Sequence, residues 1–233
     1  MEISPVTLEG QHVRLEPLSQ AHEEALIAAA SVGELWNSTV TIVPTRATMA
    51  SYIEAALRGQ AEGNELPFVI IRKSGTGVPP VKASGEVAKS GALARASARA
   101  PAARAMDDPD EVVGATRFYE IKPTDRRVAI GYTWLSKSAQ RTAVNTESKL
   151  LLLTHAFEHW RCVRVELITD FLNQQSRAAI LRLGAKEEGI LRSHMIMPSG
   201  RIRDSVFFSI IASEWPEVKA RLAARLAQEM SGR

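Results

Sequence analysis

One strand–loop–helix stretch carries the pattern with the clearest chemical meaning in this sequence. Residues 128–135 (VAIGYTWL) predict a β-strand, residues 136–139 are small or polar, and residues 140–146 (QRTAVNT) lead into a long helix with a cap predicted at Asn145 or Thr146. The first-turn amides of a helix have no intrahelical partners, and the helix dipole adds positive potential there. The pattern therefore favours an anion site, which suits the diphosphate of a ligand.

Three stretches of the chain resemble the GNAT superfamily of N-acetyltransferases, in particular its ribosomal-protein N-terminal (Rim-type) branch. The acetyl-CoA signature of the superfamily is (Gln/Arg)-x-x-Gly-x-(Gly/Ala). Its counterpart here, QRTAVN, begins at Gln140 and has Ala143 and Asn145 at the two glycine positions, and neither replacement removes a backbone amide. The segment NQQS at 173–176 is similar to the second cofactor motif, and residues 192–205 are similar to the final hairpin of this branch.

The resemblance implies that acetyl-CoA is the co-substrate. Backbone N–H groups of Trp134 and Leu135 would polarise the thioester carbonyl, in the role of an oxyanion hole, and Asn173 would contact the pantetheine arm. The turn that would hold the pyrophosphate consists of Gln140, Arg141, Thr142, Ala143, Val144, Asn145 and Thr146.

In the mechanism that the resemblance implies, a neutral amine attacks the thioester directly, without a covalent enzyme intermediate. Many members use a tyrosine to protonate the leaving thiolate, but that position here is Ile180, and in this branch a serine matching Ser176 takes the role. His194 is the candidate general base because histidine titrates near neutral pH, with Asp204 and Glu120 as fallbacks. Two structural interpretations stay open: an ordinary first-turn serine for Ser176 and a packed histidine for His194.

Two other reactive-looking patterns are interpreted as structural. His155 and His159 stand four residues apart on the predicted helix, but a zincin needs an acid directly after the first histidine, and position 156 is alanine. Since no third ligand is evident, we expect no metal. Cys162, the single cysteine, follows the helix and precedes a strand, so we expect a small buried side chain rather than a catalytic thiol.

The composition is that of one ordinary globular domain spanning residues 1–233. Hydrophobic residues make up 45% and charged residues 24% of the chain, and no apolar run approaches the roughly 18 residues that span a bilayer. With no visible secretory signal and one cysteine, we expect a cytoplasmic protein. The net charge of +3 is concentrated in residues 73–104, which hold six basic residues and one acidic residue, so nucleic-acid binding is not expected.

The order of predicted elements indicates an α+β domain. Residues 74–111, rich in Ala, Gly, Ser and Pro, predict a disordered insertion in a hairpin connection. Alternating residues on both sides of Gly10 predict a short strand pair or one bent strand, and a final helix is predicted at about 215–230. The resemblance implies the GNAT fold, with a mixed, mostly antiparallel seven-stranded sheet flanked by helices.

The expected function is transfer of the acetyl group of acetyl-CoA to a primary amine, either a protein or peptide N-terminus or a small molecule. The alternative is a catalytically degenerate GNAT-like protein that binds acyl-CoA as a sensor or scaffold. A third interpretation is an RNA-associated protein that uses the basic insertion. No membrane partner is expected, and the sequence is compatible with a monomer or a homodimer.

Overall fold

The structure, a computed structural model, describes residues 1–74 and 110–231. The predicted insertion at about 74–111 therefore lies almost entirely outside the described residues, and so does the RNA-binding hypothesis that rests on it. The predicted α+β architecture, with a mixed, mostly antiparallel sheet flanked by helices, is confirmed.

Among residues 1–74 and 110–231, eight strands form one mixed sheet in the order β1-β2-β3-β4-β5-β6-β8-β7. The neighbouring strands are antiparallel except for the parallel pair β5–β6. The strands are β1 (Leu8–Glu9), β2 (Val13–Pro17), β3 (Leu66–Arg72), β4 (Glu111–Lys122), β5 (Arg127–Leu135), β6 (Arg164–Asp170), β7 (Lys186–Ile196) and β8 (Ile202–Ile211).

The predicted count of seven strands is corrected to eight among the described residues. The additional strand is the two-residue β1, which pairs with β2 through Leu8 and Leu15. Of the two alternatives for this region, the strand pair is the one observed.

In the described part of the chain, five α-helices cover the two faces of the sheet. They are α1 (Glu23–Ser31), α2 (Met49–Ala61), α3 (Ala143–Thr154), α4 (Gln174–Leu183) and α5 (Trp215–Ser231), and the π-helical turn His155–His159 extends α3. Leu152, Ile180 and Leu222 belong to one buried cluster, so α3, α4 and α5 pack on one face. Leu26 and Ile53 belong to a second cluster, which places α1 and α2 on the opposite face.

Candidate active site

The parallel strands β5 and β6 separate half-way along their length. Their pairing runs from Arg127↔Arg164 to Ile130↔Leu167 and then stops, although both strands continue. The space between residues 131–135 of β5 and residues 168–170 of β6 is called the β5–β6 gap below. Backbone groups of β5 that would otherwise pair with β6 are therefore available to a ligand in this gap.

A β-bulge in β5 lies beside the gap. Ala115 of β4 pairs with Trp134 and Arg117 pairs with Gly131, so three steps along β5 oppose two along β4. The extra residue is accommodated where Tyr132 adopts a left-handed conformation with φ 51°. Bulges bend a strand and redirect its backbone groups, so the deformation needed for a splayed strand is built into β5.

The N-terminus of α3 stands beyond the end of β5. Thr142 has an extended backbone, with φ −117° and ψ 178°, and its hydroxyl accepts a hydrogen bond from the amide of Val144 at 3.3 Å. The predicted cap at Asn145 or Thr146 is wrong, because Thr142 caps the helix three or four positions earlier. Within the described part of the chain, the amides of Ala143 and Asn145 have no acceptor. An anion could bind to these amides.

The loop that leads into α3 is held by its own side chains. Gln140 donates from Nε2 to the carbonyl of Leu135 at 3.0 Å, and Thr142 donates from Oγ1 to the carbonyl of Ala139 at 2.7 Å. Arg141, between them, is left-handed with φ 61°. The Gln140 side chain thus stabilises the turn, a structural role that does not depend on any contact with a ligand.

Trp134 and Leu135 are both buried, but they point to opposite faces of the sheet. Trp134 packs in the cluster beneath α1 and α2, whereas Leu135 packs in the cluster beneath α3. Their side chains therefore anchor the end of β5, and any role in polarising a carbonyl belongs to their backbone.

Asn173 and Ser176 lie together at the start of α4. Asn173 caps the helix by accepting a hydrogen bond from the Ser176 amide at 2.9 Å, and its Nδ2 donates to the Thr41 hydroxyl at 3.0 Å. Both functional groups of the Asn173 side chain are therefore engaged in holding α4 and the α1–α2 connection. The Ser176 hydroxyl has no hydrogen-bond partner in residues 1–74 or 110–231.

His194 lies on the edge strand β7, bonded to the neighbouring strand β8. Its Nδ1 is 2.9 Å from the hydroxyl of Ser205, and its ring meets Phe207 edge-on at 5.5 Å. Val206 and Phe208 face the cluster beneath α3, so Ser205 and Phe207 face the opposite side of the sheet. His194 is thus on the same face as α1 and α2. No hydrogen bond joins it to Ser176 within the described residues.

Residues 12–186, about three quarters of the chain, match the acetyltransferase (GNAT) domain. This chain belongs to the GNAT acetyltransferase family.

Relatives of this GNAT chain share both sequence and fold. It is 30% identical over 102 residues to the Bacillus subtilis (strain 168) protein named "Putative ribosomal N-acetyltransferase YdaF", an alignment that covers 44% of this chain and 55%, about half, of that relative. A GCN5-related N-acetyltransferase from Brucella melitensis is 28% identical, with a TM-score of 0.73 over 96% of this chain and 86% of that one. Mycobacterium smegmatis RimJ, solved in complex with CoA-disulfide, shares the fold at 20% identity, with a TM-score of 0.69 and 95% of each chain covered.

A polar cavity of about 420 Å³ opens on the α1–α2 face of the GNAT domain. Tyr119 and the bulge residue Tyr132 line it, with ring centroids 5.2 Å apart. Beneath them the buried Arg117 stacks 4.1 Å from the Tyr132 ring centroid and donates to Glu65 at 2.6 Å. The remaining lining residues are Ala55, Arg58, Gly59, Glu62, Asn64, Glu65, Glu120 and Lys122. The side chain of Tyr132 in the bulge thus lines this cavity, while the backbone of the bulge lies at the edge of the β5–β6 gap.

Sequence reasoning missed two buried charges on α3. The carboxylate of Glu147 accepts hydrogen bonds from the amides of Gln11, His12 and Val13 at 2.6–2.9 Å. Lys149 donates from Nζ to the hydroxyl of Thr133 in the bulge at 2.6 Å. The available signal was the spacing: a glutamate and a lysine two residues apart precede the apolar run 150–153, on a helix that must cover a sheet.

Burial shifts the pKa values of two side chains, His155 and Cys162, in the patterns interpreted as structural. His155 and His159 stack at 5.3 Å, and burial together with the neighbouring His159 lowers the pKa of His155 to about 4. Burial raises the pKa of the Cys162 thiol to about 11, so this cysteine is a buried, unreactive side chain. No three metal-ligating side chains cluster in the part of the chain that the structure describes. None of its described helices has the length and apolarity of a membrane span.

Proposed function

We propose that this GNAT protein moves the acetyl group of acetyl-CoA to a primary amine by direct attack in the β5–β6 gap. The observation that carries the proposal is the alignment of three features on one chain segment: the bulged strand β5, the gap beside it, and the α3 N-terminus with the unpaired amides of Ala143 and Asn145. A thioester with a diphosphate at its other end matches this arrangement.

The relatives support the same cofactor and a peptide acceptor. The RimJ structure holds a CoA derivative, and the Bacillus subtilis relative carries the name of a ribosomal N-acetyltransferase. A protein or peptide N-terminus is therefore our first choice of acceptor, ahead of a small-molecule amine.

The proposed mechanism assigns one residue to accept the proton of the amine and another to protonate the leaving thiolate. The nitrogen lone pair of the amine forms the new N–C bond, and the C–S bond breaks after the carbonyl oxygen has carried negative charge. Backbone amides of the bulged strand near Trp134 and Leu135 stabilise that charge. His194 accepts the proton of the amine, and Ser176, whose hydroxyl is uncommitted, donates one to the leaving thiolate.

The cavity on the α1–α2 face is the proposed entry for the acceptor. Three carboxylates line it, against the two cations Arg58 and Lys122. Glu65 is neutralised by Arg117 and Glu120 lies 3.6 Å from Lys122, whereas Glu62 has no ion-pair partner among the described residues. Arg58 likewise has no ion-pair partner among the described residues, so the charges around the cavity balance. A protonated amine is favoured here by the aromatic rings of Tyr119 and Tyr132 rather than by net charge.

The diphosphate site can be tested by substituting Ala143→Pro and comparing acetyl-CoA with acetyl-pantetheine, which lacks the diphosphate. Proline is favoured at the first helical position, and Thr142 is already extended, so the fold should be kept. Loss of one amide bonded to a charged group should weaken acetyl-CoA binding by about 10- to 100-fold, with acetyl-pantetheine binding unchanged. Isothermal titration calorimetry measures both affinities, and thermal unfolding checks the fold.

Each outcome of this titration has a distinct meaning. An equal loss for both ligands, or none, would place the diphosphate elsewhere. Wild-type protein that binds acetyl-CoA but acetylates no peptide or amine of a panel would support the sensor alternative. Absence of acetyl-CoA binding at millimolar concentration would overturn the proposal altogether.

A further inference from the structure

Lys149 places a positive charge in the interior of the protein, directly under the bulge of β5. The residue is 5% exposed, and its Nζ donates to the hydroxyls of Thr133 at 2.6 Å and Thr116 at 3.4 Å. No carboxylate of residues 1–74 or 110–231 forms an ion pair with it. An ammonium group that is buried without a counter-charge is unfavourable for folding.

The two threonines do not need this lysine. Their hydroxyls are 2.8 Å apart and bond to each other, and the carbonyl of Gly131 accepts from the Thr133 hydroxyl at 3.3 Å. An apolar side chain in place of Lys149 would therefore leave no hydroxyl unpaired. Since the lysine is dispensable for hydrogen bonding and costly to bury, its position calls for a reason other than stability.

Thr133 connects the ammonium group to the β5–β6 gap. It lies within the bulged stretch of β5, past the last pair that joins β5 to β6, and it is partly exposed. Its hydroxyl is thus bonded to a cation on the α3 side while its backbone lies at the edge of the gap.

We propose that Lys149 is a positioning residue for acyl transfer, which holds the bulge of β5 through Thr133 and stabilises the negative charge that develops on the thioester oxygen. This inference rests on the proposed function. While Lys149 is protonated, its buried positive charge acts over several ångströms with little screening. The charge is preorganised by α3, so it costs no reorganisation during the reaction.

The test is a set of conservative substitutions analysed by single-turnover acetylation of an amine. In Lys149→Met the acetyl-transfer rate should fall about 10- to 100-fold, less than for removal of a direct oxyanion donor, while the dissociation constant for acetyl-CoA changes less than about twofold because the bound thioester is neutral. Lys219→Met, which removes a surface lysine bonded to Glu158, is the matched control and should keep the rate.

The stability of the Lys149→Met variant distinguishes this role from a merely structural one. Loss of a lysine that stabilises the fold would lower the unfolding midpoint, whereas loss of a lysine that is costly to bury would raise it. Burial alone lowers the pKa of Lys149 to about 7, with no contribution from a neighbouring charge. The folded pKa lies below the unfolded one, so the cost of burial is complete below pH 7 and disappears as the pH rises above the unfolded pKa. Lys149→Met should therefore raise the unfolding midpoint, and more so at pH 6 than at pH 9.

Thr133→Val gives an independent arm, because it removes the hydroxyl through which the lysine acts. If both residues act together, the acetyl-transfer rate of the double variant should be close to that of the slower single variant, not reduced by the product of the two separate losses. A Lys149→Met protein that is less stable than wild type, or one that keeps the full rate, would overturn the inference, and so would multiplicative losses. Acetyl-CoA binding and amine acetylation by the wild type, both measured first, separate these outcomes from failure of the proposed function.

Discussion

Burial decides what each titratable side chain can do in this domain. Lys149 and Lys186 are the same residue type, but burial lowers the pKa of Lys149, whereas the bond to Glu214 raises the pKa of the exposed Lys186. Burial likewise makes the Cys162 thiol a poor nucleophile, since its pKa is raised to about 11. The reactive groups proposed here, Ser176 and His194, lie at the ends or edges of elements, where a substrate can reach them.

Ser176→Ala should lower the acetyl-transfer rate by about 100-fold, the lower range for loss of a general acid. Helix α4 should remain intact, because Asn173 caps the amide of Ser176 and not its hydroxyl. Ser51 occupies the same third position of α2, away from the gap, so Ser51→Ala is the matched control. If steady-state and single-turnover rates are the same for both variants and the wild type, Ser176 is an ordinary helix serine.

At the scale of elements, α3 organises most of the candidate site. Its N-terminus supplies the unpaired amides, and one turn further on Glu147 holds the turn between β1 and β2. Lys149, two residues further along α3, contacts the bulge of β5. The parallel crossover β5–α3–β6 therefore sets the position of the strand, the gap and the diphosphate site together.

The Glu147 contact predicts a large stability effect far from any reacting atom. Glu147→Gln replaces one acceptor oxygen with an amide that donates, and it removes the charge from three hydrogen bonds. We expect a loss of about 2–4 kcal/mol in the free energy of unfolding, which lowers the midpoint by roughly 5–15 °C for a domain of this size. Chemical denaturation and calorimetry measure the two quantities.

Gly10→Ala tests the same contact from the other side. A Cβ at position 10 would lie 2.5 Å from the Glu147 carboxyl carbon, so the carboxylate would have to leave its three amides. Glu54→Gln, on the exposed side of α2, is the control and should leave stability unchanged. Wild-type stability in both Glu147→Gln and Gly10→Ala would show that the three bonds contribute little.

The sequence predicts the elements of this domain better than their contacts. The strand predicted at residues 128–135 follows from a local pattern and is confirmed as β5 (Arg127–Leu135). The N-cap of α3 is harder to predict, because Thr142, Asn145 and Thr146 are all residue types that cap helices. Only the extended backbone of Thr142 in the structure identifies it as the cap. The bulge of β5 and the partners of Lys149 depend on the register of β4 against β5, a long-range property that local patterns do not encode.

At the scale of the whole molecule, the described residues on either side of positions 75–109 lie close together at the end of the β3–β4 hairpin. Arg72 of β3 pairs with Glu111 of β4, and the amide of Ser74 donates to the Asp110 carboxylate at 2.9 Å. Arg14 of the neighbouring strand β2 also contacts Asp110 at 2.8 Å. The bond from Ser74, and more weakly that from Arg14, lowers the pKa of Asp110, so this carboxylate stays ionised at neutral pH. The closure of the hairpin is thus completed by residues on both sides of the segment.

Replacement of residues 75–109 by Asn-Gly should consequently preserve the fold and acetyl-CoA binding. The new connection between Arg72 and Glu111 would have five residues, a usual length for a hairpin, and it would keep Ser74 and Asp110. Shorter loop closure should stabilise the protein by about 1–2 kcal/mol and raise the unfolding midpoint by a few degrees. A Gly/Ser segment of the original length is the control, with an unchanged midpoint.

Weaker acetyl-CoA binding in the shortened protein, with binding intact in the control, would mean that a defined length of chain is required near the cofactor. Loss of binding in both would assign the cofactor contact to side chains of the natural segment.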